Sequence, residues 1–442
     1  SVNDISFTQE FSYLKAEKMT IKGREFYHLD MGKDFVPSYK IGQAELPVYT
    51  SLIEVPFCEN ITIEEKVLEK KVIKLKDNIL IAPKQISQSK QNEDIGFSID
   101  EKYYNRDGFG TGNRVTVEEV GIMGGSKMAR LTISPIRYNP KTNEIEVATK
   151  IQVSVHFVGA NYAKTLELKN KMGRCFNDFT QGKVINKNLS ATVNSTNIMR
   201  PYKMVIVSNS MFQSTLQPFI KWKKEEGFNV IEAYTSQTNV GTTTTSIKAY
   251  LKGLYDNATT NNPAPDYILI VGDTDKVPTF TGSYPGSGET QYTDLYYAEY
   301  TNDMLPEAFY GRMSAETTTQ LTNILNKTIT YEKYQMSDDS YLNRILLIAG
   351  KEVNEPAPTV GNGQVNYAKQ YFSGLDTTVY YNPSCGTTAN QAQVKQDINE
   401  GQGWINYSAH CDQTGWYIPS YLVSDVSAMT NTNKYGIFIN NC

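Results

Sequence analysis

Gly403-Trp-Ile-Asn-Tyr-Ser-Ala-His410-Cys411 and Gly436-Ile-Phe-Ile-Asn-Asn-Cys442 are two short apolar runs, each opened by glycine and closed by polar, reactive residues. Runs this short, without helical period, read as buried strands. The chain between them has room for one loop and one helix, the usual crossover between parallel strands. Working back along the sequence, the same unit recurs. Met204 to Val207, Val230 to Ala233, Tyr267 to Val271, Ile345 to Ala349 and Thr378 to Tyr381 are strand-like. Between them, Leu216, Phe219, Ile220 and Lys223, then Ile247, Leu251 and Leu254, fall at helical spacing, and helices are also predicted over Thr317 to Glu332, Gln364 to Phe372 and Gln391 to Asn399. This alternation specifies a mostly parallel sheet with helices on both faces, in which function sits at the carboxyl ends of the strands.

The first 175 residues read differently, as a β-rich antiparallel domain. Ile151, Val153, Val155 and Phe157 alternate with Gln152, Ser154 and His156, the period of a half-buried strand. Ala129 to Ile133 and Glu144 to Val147 bracket the turn Asn139-Pro140-Lys141-Thr142-Asn143, which predicts a hairpin. Residues 176–200 are rich in Asn, Ser and Thr and read as an exposed linker. The domains expected are therefore 1–175, β-rich; 176–200, linker; and 201–442, α/β.

Composition narrows the function. At 442 residues, and roughly 100 to 200 residues per domain, the chain is multidomain. Lys+Arg 43 against Asp+Glu 47 gives a net charge of −4, so nothing global recruits nucleic acid or an anionic membrane. No apolar run approaches the roughly 18 residues that span a bilayer. Ser1 in place of Met fits removal of a leader, or trimming, and hence secretion. Five cysteines, at 58, 175, 385, 411 and 442, show neither CxxC nor zinc spacing, so no metal site is expected from them. The pair Gly272-Asp273 either caps the next helix or takes a structural calcium; no cofactor is required.

Applied to the two quoted strands, the strand-end rule brings out His410 and Cys442. Adjacent strands lie about 4.8 Å apart, so side chains just past their ends come within reach. An imidazole beside a thiol makes thiolate available near neutral pH and returns the proton to a leaving amine, which is cysteine protease chemistry. His410 is the only histidine of the α/β part, since His28 and His156 lie in the β part. Cys411 is a rival nucleophile, but adjacent residues of an extended chain point to opposite sides.

These two runs, in this order, resemble the gingipain-type cysteine peptidases of family C25 from Bacteroidetes. Tyr267-Ile-Leu-Ile-Val-Gly-Asp273 with Val277-Pro278, Tyr292-Thr-Asp-Leu-Tyr-Tyr297 and Pro306-Glu-Ala-Phe-Tyr-Gly-Arg312 agree with the family pattern, and Val117 through Pro140 looks like its propeptide. The resemblance implies a secreted or surface zymogen with a caspase-like catalytic domain, acting on proteins or peptides through a thioester and blocked by its own propeptide. It implies Cys442 as nucleophile, His410 as general base and acid, and Glu352 as the carboxylate orienting the imidazole. Backbone N–H groups of Cys442 and Cys411 would hold the oxyanion.

Several positions depart from the family or remain to be placed. The family carries Gly after the histidine, where this chain has Cys411. The arginine-specific members carry an Asp where Asn366 stands, so strict arginine specificity is not supported; Asn366 and Ser408 are the candidates for the substrate pocket. A propeptide side chain occupying that pocket is expected from the Gly121 to Lys127 segment, a tight exposed loop, with Lys127 first and Arg114 second. Arg174 and Arg200 are the candidate activation cleavage sites. The sequence stops at Cys442, and the segment that in the family completes the pocket wall is not in it. A sortase-like transpeptidase, or an inactive family member acting as a surface binding protein, are the alternative readings. Disulfide pairing stays open, and a Cys411–Cys442 bridge would silence the thiol under oxidising conditions.

Overall fold

Alternation along Ile151, Val153, Val155 and Phe157, none more than 6% exposed, makes one long strand the spine of the N-terminal part. The computed structural model describes residues 4–32, 34–86, 96–173, 184–186, 201–283, 290–350 and 360–442. Its first strands are β1 (Asp4–Glu10), β2 (Lys15–Ile21), β3 (Arg24–Asp30), β4 (Phe35–Pro37), β5 (Pro47–Glu54), β6 (Asn60–Lys74), β7 (Val115–Met123), β8 (Ser126–Ile133), β9 (Ile136–Asn139) and β10 (Glu144–Val158). The spine, β10, pairs antiparallel with β1, β6 and β9. A second antiparallel sheet runs β4-β5-β8-β7, and β2 pairs with β3. Ile53, Ile81, Leu131, Ile133, Ile151 and Val153 belong to one core, so this part is antiparallel and β-rich, as expected.

Two local expectations are corrected. The turn at Asn139–Asn143 joins β10 to β9, whereas Ala129–Ile133 lies in β8, between β5 and β7. Pro135 separates β8 from β9; without an N–H it cannot continue the ladder. Within the expected linker, residues 184–186 are fastened to β5. Val184, 3% exposed, bridges Leu52, and the Asn186 amide exchanges hydrogen bonds with the Glu54 backbone at 2.8 Å each way.

The remaining chain forms parallel sheets. One comprises β11 (Lys203–Ser208), β12 (Asn229–Tyr234), β13 (Tyr267–Val271) and, after a small hairpin of β14 (Phe280–Ser283) and β15 (Thr290–Thr293), β16 (Phe309–Met313), in the order β12-β11-β13-β16. The other comprises β17 (Arg344–Ala349), β18 (Asp376–Tyr380), β19 (Trp404–Ser408) and, after three short strands β20 (Cys411–Asp412), β21 (Gly415–Trp416) and β22 (Tyr421–Leu422), β23 (Ile437–Asn441), in the order β18-β17-β19-β23. The single sheet expected from the alternation is thus two four-stranded sheets. Periodicity specifies strand, helix, strand but cannot say when a new sheet begins. By compactness the described residues form two units, one running to Leu321 and one from Thr322 to Cys442.

Helices form where the pattern predicts. In the helix Gln213–Glu225, Leu216, Phe219, Ile220 and Lys223 are the buried residues. The helix Thr244–Asp256 starts with a capping box between Thr243 and Ser246, which satisfies its first free N–H groups.

In the first unit, the turn Tyr300–Glu307 is held by two buried carboxylates. Glu299, 2% exposed, accepts from the backbone N–H of Asn302 and Asp303 and pairs with Lys248. Glu307, 1% exposed, accepts from Tyr300 N–H at 2.7 Å and the Thr301 hydroxyl at 3.0 Å. Burial pushes the Glu307 carboxyl up to about 8. A carboxyl whose folded value exceeds its unfolded value contributes stability that is complete below about pH 4.5 and lost as pH rises through about 8. Denaturant titrations between pH 5 and 8.5 should therefore show stability falling with pH, by no more than about 1.4 kcal/mol per unit from this one proton. Glu307→Gln should flatten that slope, and an unchanged slope would refute the assignment.

Candidate active site

Parallel pairing of β19 with β23 aligns Trp404 with Ile437 and Ser408 with Asn441. His410, two residues past Ser408, and Cys442, one past Asn441, therefore leave the same edge of one sheet. The alignment continues beyond the strands, where Ala409 N–H donates to the Asn441 carbonyl at 3.2 Å. Cys411 and Cys442 are joined by a disulfide with 5.5 Å between their Cα atoms. Consecutive Cα atoms are about 3.8 Å apart, which puts the Cα of His410 within about 9 Å of that of Cys442. Both His410 and Cys442 are exposed.

The turn that carries His410 is fixed from behind. The Tyr407 hydroxyl donates to the His410 carbonyl at 2.8 Å. The Tyr407 ring stacks on Trp416, with centroids 4.3 Å apart and planes 2° from parallel. Trp416 Nε1–H donates to Asn440 Oδ1 at 3.2 Å, so one aromatic pair ties β19, the β20–β22 segment and β23 together. On the side of the helix Val360–Lys369, the Ser408 hydroxyl donates to Gln364 Oε1, which also accepts from Asn441 Nδ2 at 3.3 Å. Tyr and Trp suit such places because their polar tips can hydrogen-bond while the rings are buried.

Gly350 closes the site from β17. Its N–H donates to the Ser408 carbonyl at 3.0 Å, and a Cβ added there would meet the Tyr407 ring at 2.9 Å and Ala409 Cβ at 2.5 Å. The chain thus passes from β17 alongside the end of β19, two residues before Glu352.

Two sequence models match the chain one after the other, the C25 propeptide over residues 3–190 and Peptidase family C25 over residues 198–442. The chain belongs to peptidase family C25. Among its relatives, Lys-gingipain HG66 of Porphyromonas gingivalis is 32% identical over 446 residues, covering 99% of this chain and 25% of the relative. Gingipain R2 of the same organism is 25% identical over 405 residues, covering 89% of this chain and 52% of the relative. A solved structure concerned with zymogenic latency of gingipain K from Porphyromonas gingivalis is 27% identical with a TM-score of 0.34, covering 36% of this chain and 90% of that one. The chain spans about a quarter of the length of the Lys-gingipains it matches.

The structure of this C25 chain places the remaining candidates unevenly. Glu352, Arg174 and Arg200 lie outside the described residues. Asn366 Oδ1 accepts from the Tyr381 hydroxyl at 2.8 Å; its helix neighbour Gln364 makes the strand-end contact instead. Ser408 is buried, and its hydroxyl donates to Gln364 Oε1. Arg114 is corrected as a plug: its side chain is 2% exposed and pairs with Glu146 at 2.5 Å inside the β-rich part. Its guanidinium also donates to the Pro135 carbonyl at 2.7 Å, so a buried partner 32 residues away consumes the cation. Lys127 is half-buried, its amino group paired with the exposed Glu119 at 2.7 Å and over the Phe57 ring. Asp273 closes a turn ahead of β14 instead of capping a helix, accepting from Thr274 N–H and the Ser314 hydroxyl. Among the described residues no group of three or more His, Cys, Asp and Glu is placed to hold a metal ion, and no helix is long and apolar enough to cross a membrane.

The residues missed by sequence reasoning are Gln364, Tyr407 and Trp416. The one available signal was an aromatic with a polar tip closing a buried strand. Gly350→Ala should destabilise the second unit by about 1 to 3 kcal/mol, the cost of forcing a methyl into a filled site. Thermal melts check this, and an unchanged melt would contradict the close approach at Ser408 and Tyr407.

Proposed function

We propose that this chain is a latent cysteine endopeptidase whose N-terminal β-rich part is its propeptide. The observation that carries the reading is the aligned end of β19 and β23, which sends His410 and Cys442 out of one sheet edge with Cys411 close enough to bond Cys442. Family membership over both parts supports it.

Once reduced, the Cys442 sulfur attacks the scissile carbonyl carbon and forms the C–S bond. The C–N bond breaks as His410 delivers its proton to the departing amine. Water, deprotonated by His410, then cleaves the thioester and restores the thiol. Glu352 orients the imidazole, and the backbone N–H groups of Cys442 and Cys411 receive the oxyanion. Substrates are proteins or peptides, met outside the cell or at its surface, where disulfides persist.

In the disulfide form, the nucleophile is capped. An external thiolate attacks Cys411 Sγ and releases the Cys442 thiolate. A second external thiol resolves the mixed disulfide, so two thiols are oxidised as the bridge is reduced.

The test is hydrolysis of a peptide library by the full chain, nicked with trypsin and with the two fragments separated by dilution, with and without a dithiol. Turnover is expected only after reduction. His410→Ala should lose at least about 100-fold, and Cys442→Ala should lose all of it. Cys411→Gly should turn over without the dithiol. Turnover by Cys442→Ala, or none from the reduced, nicked parent, would overturn the reading.

A further inference from the structure

The β7–β8 hairpin ends where a free hairpin would not. Its turn residues Gly124 and Gly125, and Ser126 after them, are buried, although the sequence predicts an exposed loop. Both turn glycines have positive φ, +56° and +83°, the geometry of a tight two-residue turn. On β7 the ladder slips by one residue between Glu119 and Gly121, a bulge of the kind that re-aims a strand.

Past the bulge, the strand meets the α/β part. Ile122 N–H donates to Asp303 Oδ2 at 2.6 Å. Gly121 lies so close that a Cβ there would stand 2.6 Å from both Cγ and Oδ2 of Asp303. Its φ of +149° is itself unfavourable for other residues. Hairpin and carboxylate belong to one compact unit.

The receiving turn is built to present that carboxylate. Asp303 is flanked by Asn302 and Met304, both at positive φ, +59° and +68°, which is uncommon without glycine. The buried Glu299 and Glu307 hold the turn in this shape. Asp303 is further oriented by the Thr301 hydroxyl at 2.9 Å and Leu305 N–H at 2.9 Å.

We propose that Asp303 is the receptor for the β7–β8 hairpin, and that this contact keeps the N-terminal part on the α/β part after the chain between them is cut. It deepens the propeptide reading and rests on it. Recognition is of backbone, not side chain: a charge-assisted hydrogen bond from Ile122 N–H, available only because residue 121 has no Cβ. A partner with any other residue at that step would be turned away.

The experiment nicks the full chain with trypsin in the 174–200 stretch and measures dissociation of the two fragments by size exclusion over a concentration series. The variants are Asp303→Ala, Asp303→Asn, Gly121→Ala and the Gly121→Ala/Asp303→Ala pair. Asp303→Ala and Gly121→Ala should each dissociate at about 10- to 100-fold higher concentration than the parent, the loss expected for one hydrogen bond to a charged group. Asp303→Asn, which keeps an acceptor but not the charge, should fall between. The double variant should lose no more than the worse single, because both changes strike one contact. Hydrogen exchange along β6 and β10 should stay at the parent level, showing an intact N-terminal fold. Parent-like dissociation of both single variants, or losses that simply add, would overturn the receptor. Fragments of the parent that part at once at micromolar concentration would instead defeat the propeptide reading beneath it.

Discussion

Five backbone-paired positions, from Trp404 opposite Ile437 to Ser408 opposite Asn441, decide where two reactive side chains leave the sheet. In a parallel ladder the hydrogen bonds are evenly spaced, and a one-residue slip would send each side chain to the other face. The register is therefore the constraint on which the candidate site depends. It is reinforced beyond the ladder by the Ala409 to Asn441 hydrogen bond, the Tyr407–Trp416 stack and the Gln364 amide. None of these groups need touch a substrate; they hold the backbone from which His410 and Cys442 project.

On the proposed function, two separate devices bear on latency, at different places and through different chemistry. The Cys411–Cys442 disulfide acts on the sulfur itself, and it exists because Cys411 occupies the position after the histidine. The β7–β8 hairpin acts on the first unit, through a backbone N–H and an absent side chain. A reductant addresses the first, whereas the second outlasts a cut between the two parts and yields only when they separate.

Much of this was legible because apolar runs ended by glycine or polar residues mark buried strands without reference to any partner. β11, β13, β17 and β19 read that way, β10 reads from its period-two alternation, and the strand-end rule then picks out His410 and Cys442. Pairing was not legible, because alternation fixes which face of a strand is buried but not its neighbour; hence Glu144–Val147 was given the wrong partner and one sheet stood for two. Arg114 and Lys127 looked free for a substrate pocket because Glu146 and Glu119, which take up their charges, are set by strand pairing. The buried hairpin tip was invisible for the same reason, since a two-glycine turn reads alike whether solvent or protein covers it. Gln364 and Tyr407 carry no motif, and their roles arise from hydrogen bonds made only in the folded chain.

The central claim is that the imidazole at 410 and the sulfur at 442 share a proton. The most direct measurement is the pH dependence of Cys442 alkylation by iodoacetamide in the reduced chain, followed by peptide mass spectrometry, for the parent and for His410→Ala. The account predicts a parent thiol that reacts as thiolate well below the ordinary cysteine range near 8.5, and a His410→Ala thiol that returns to that range. Identical profiles, both titrating as an ordinary thiol, would contradict it.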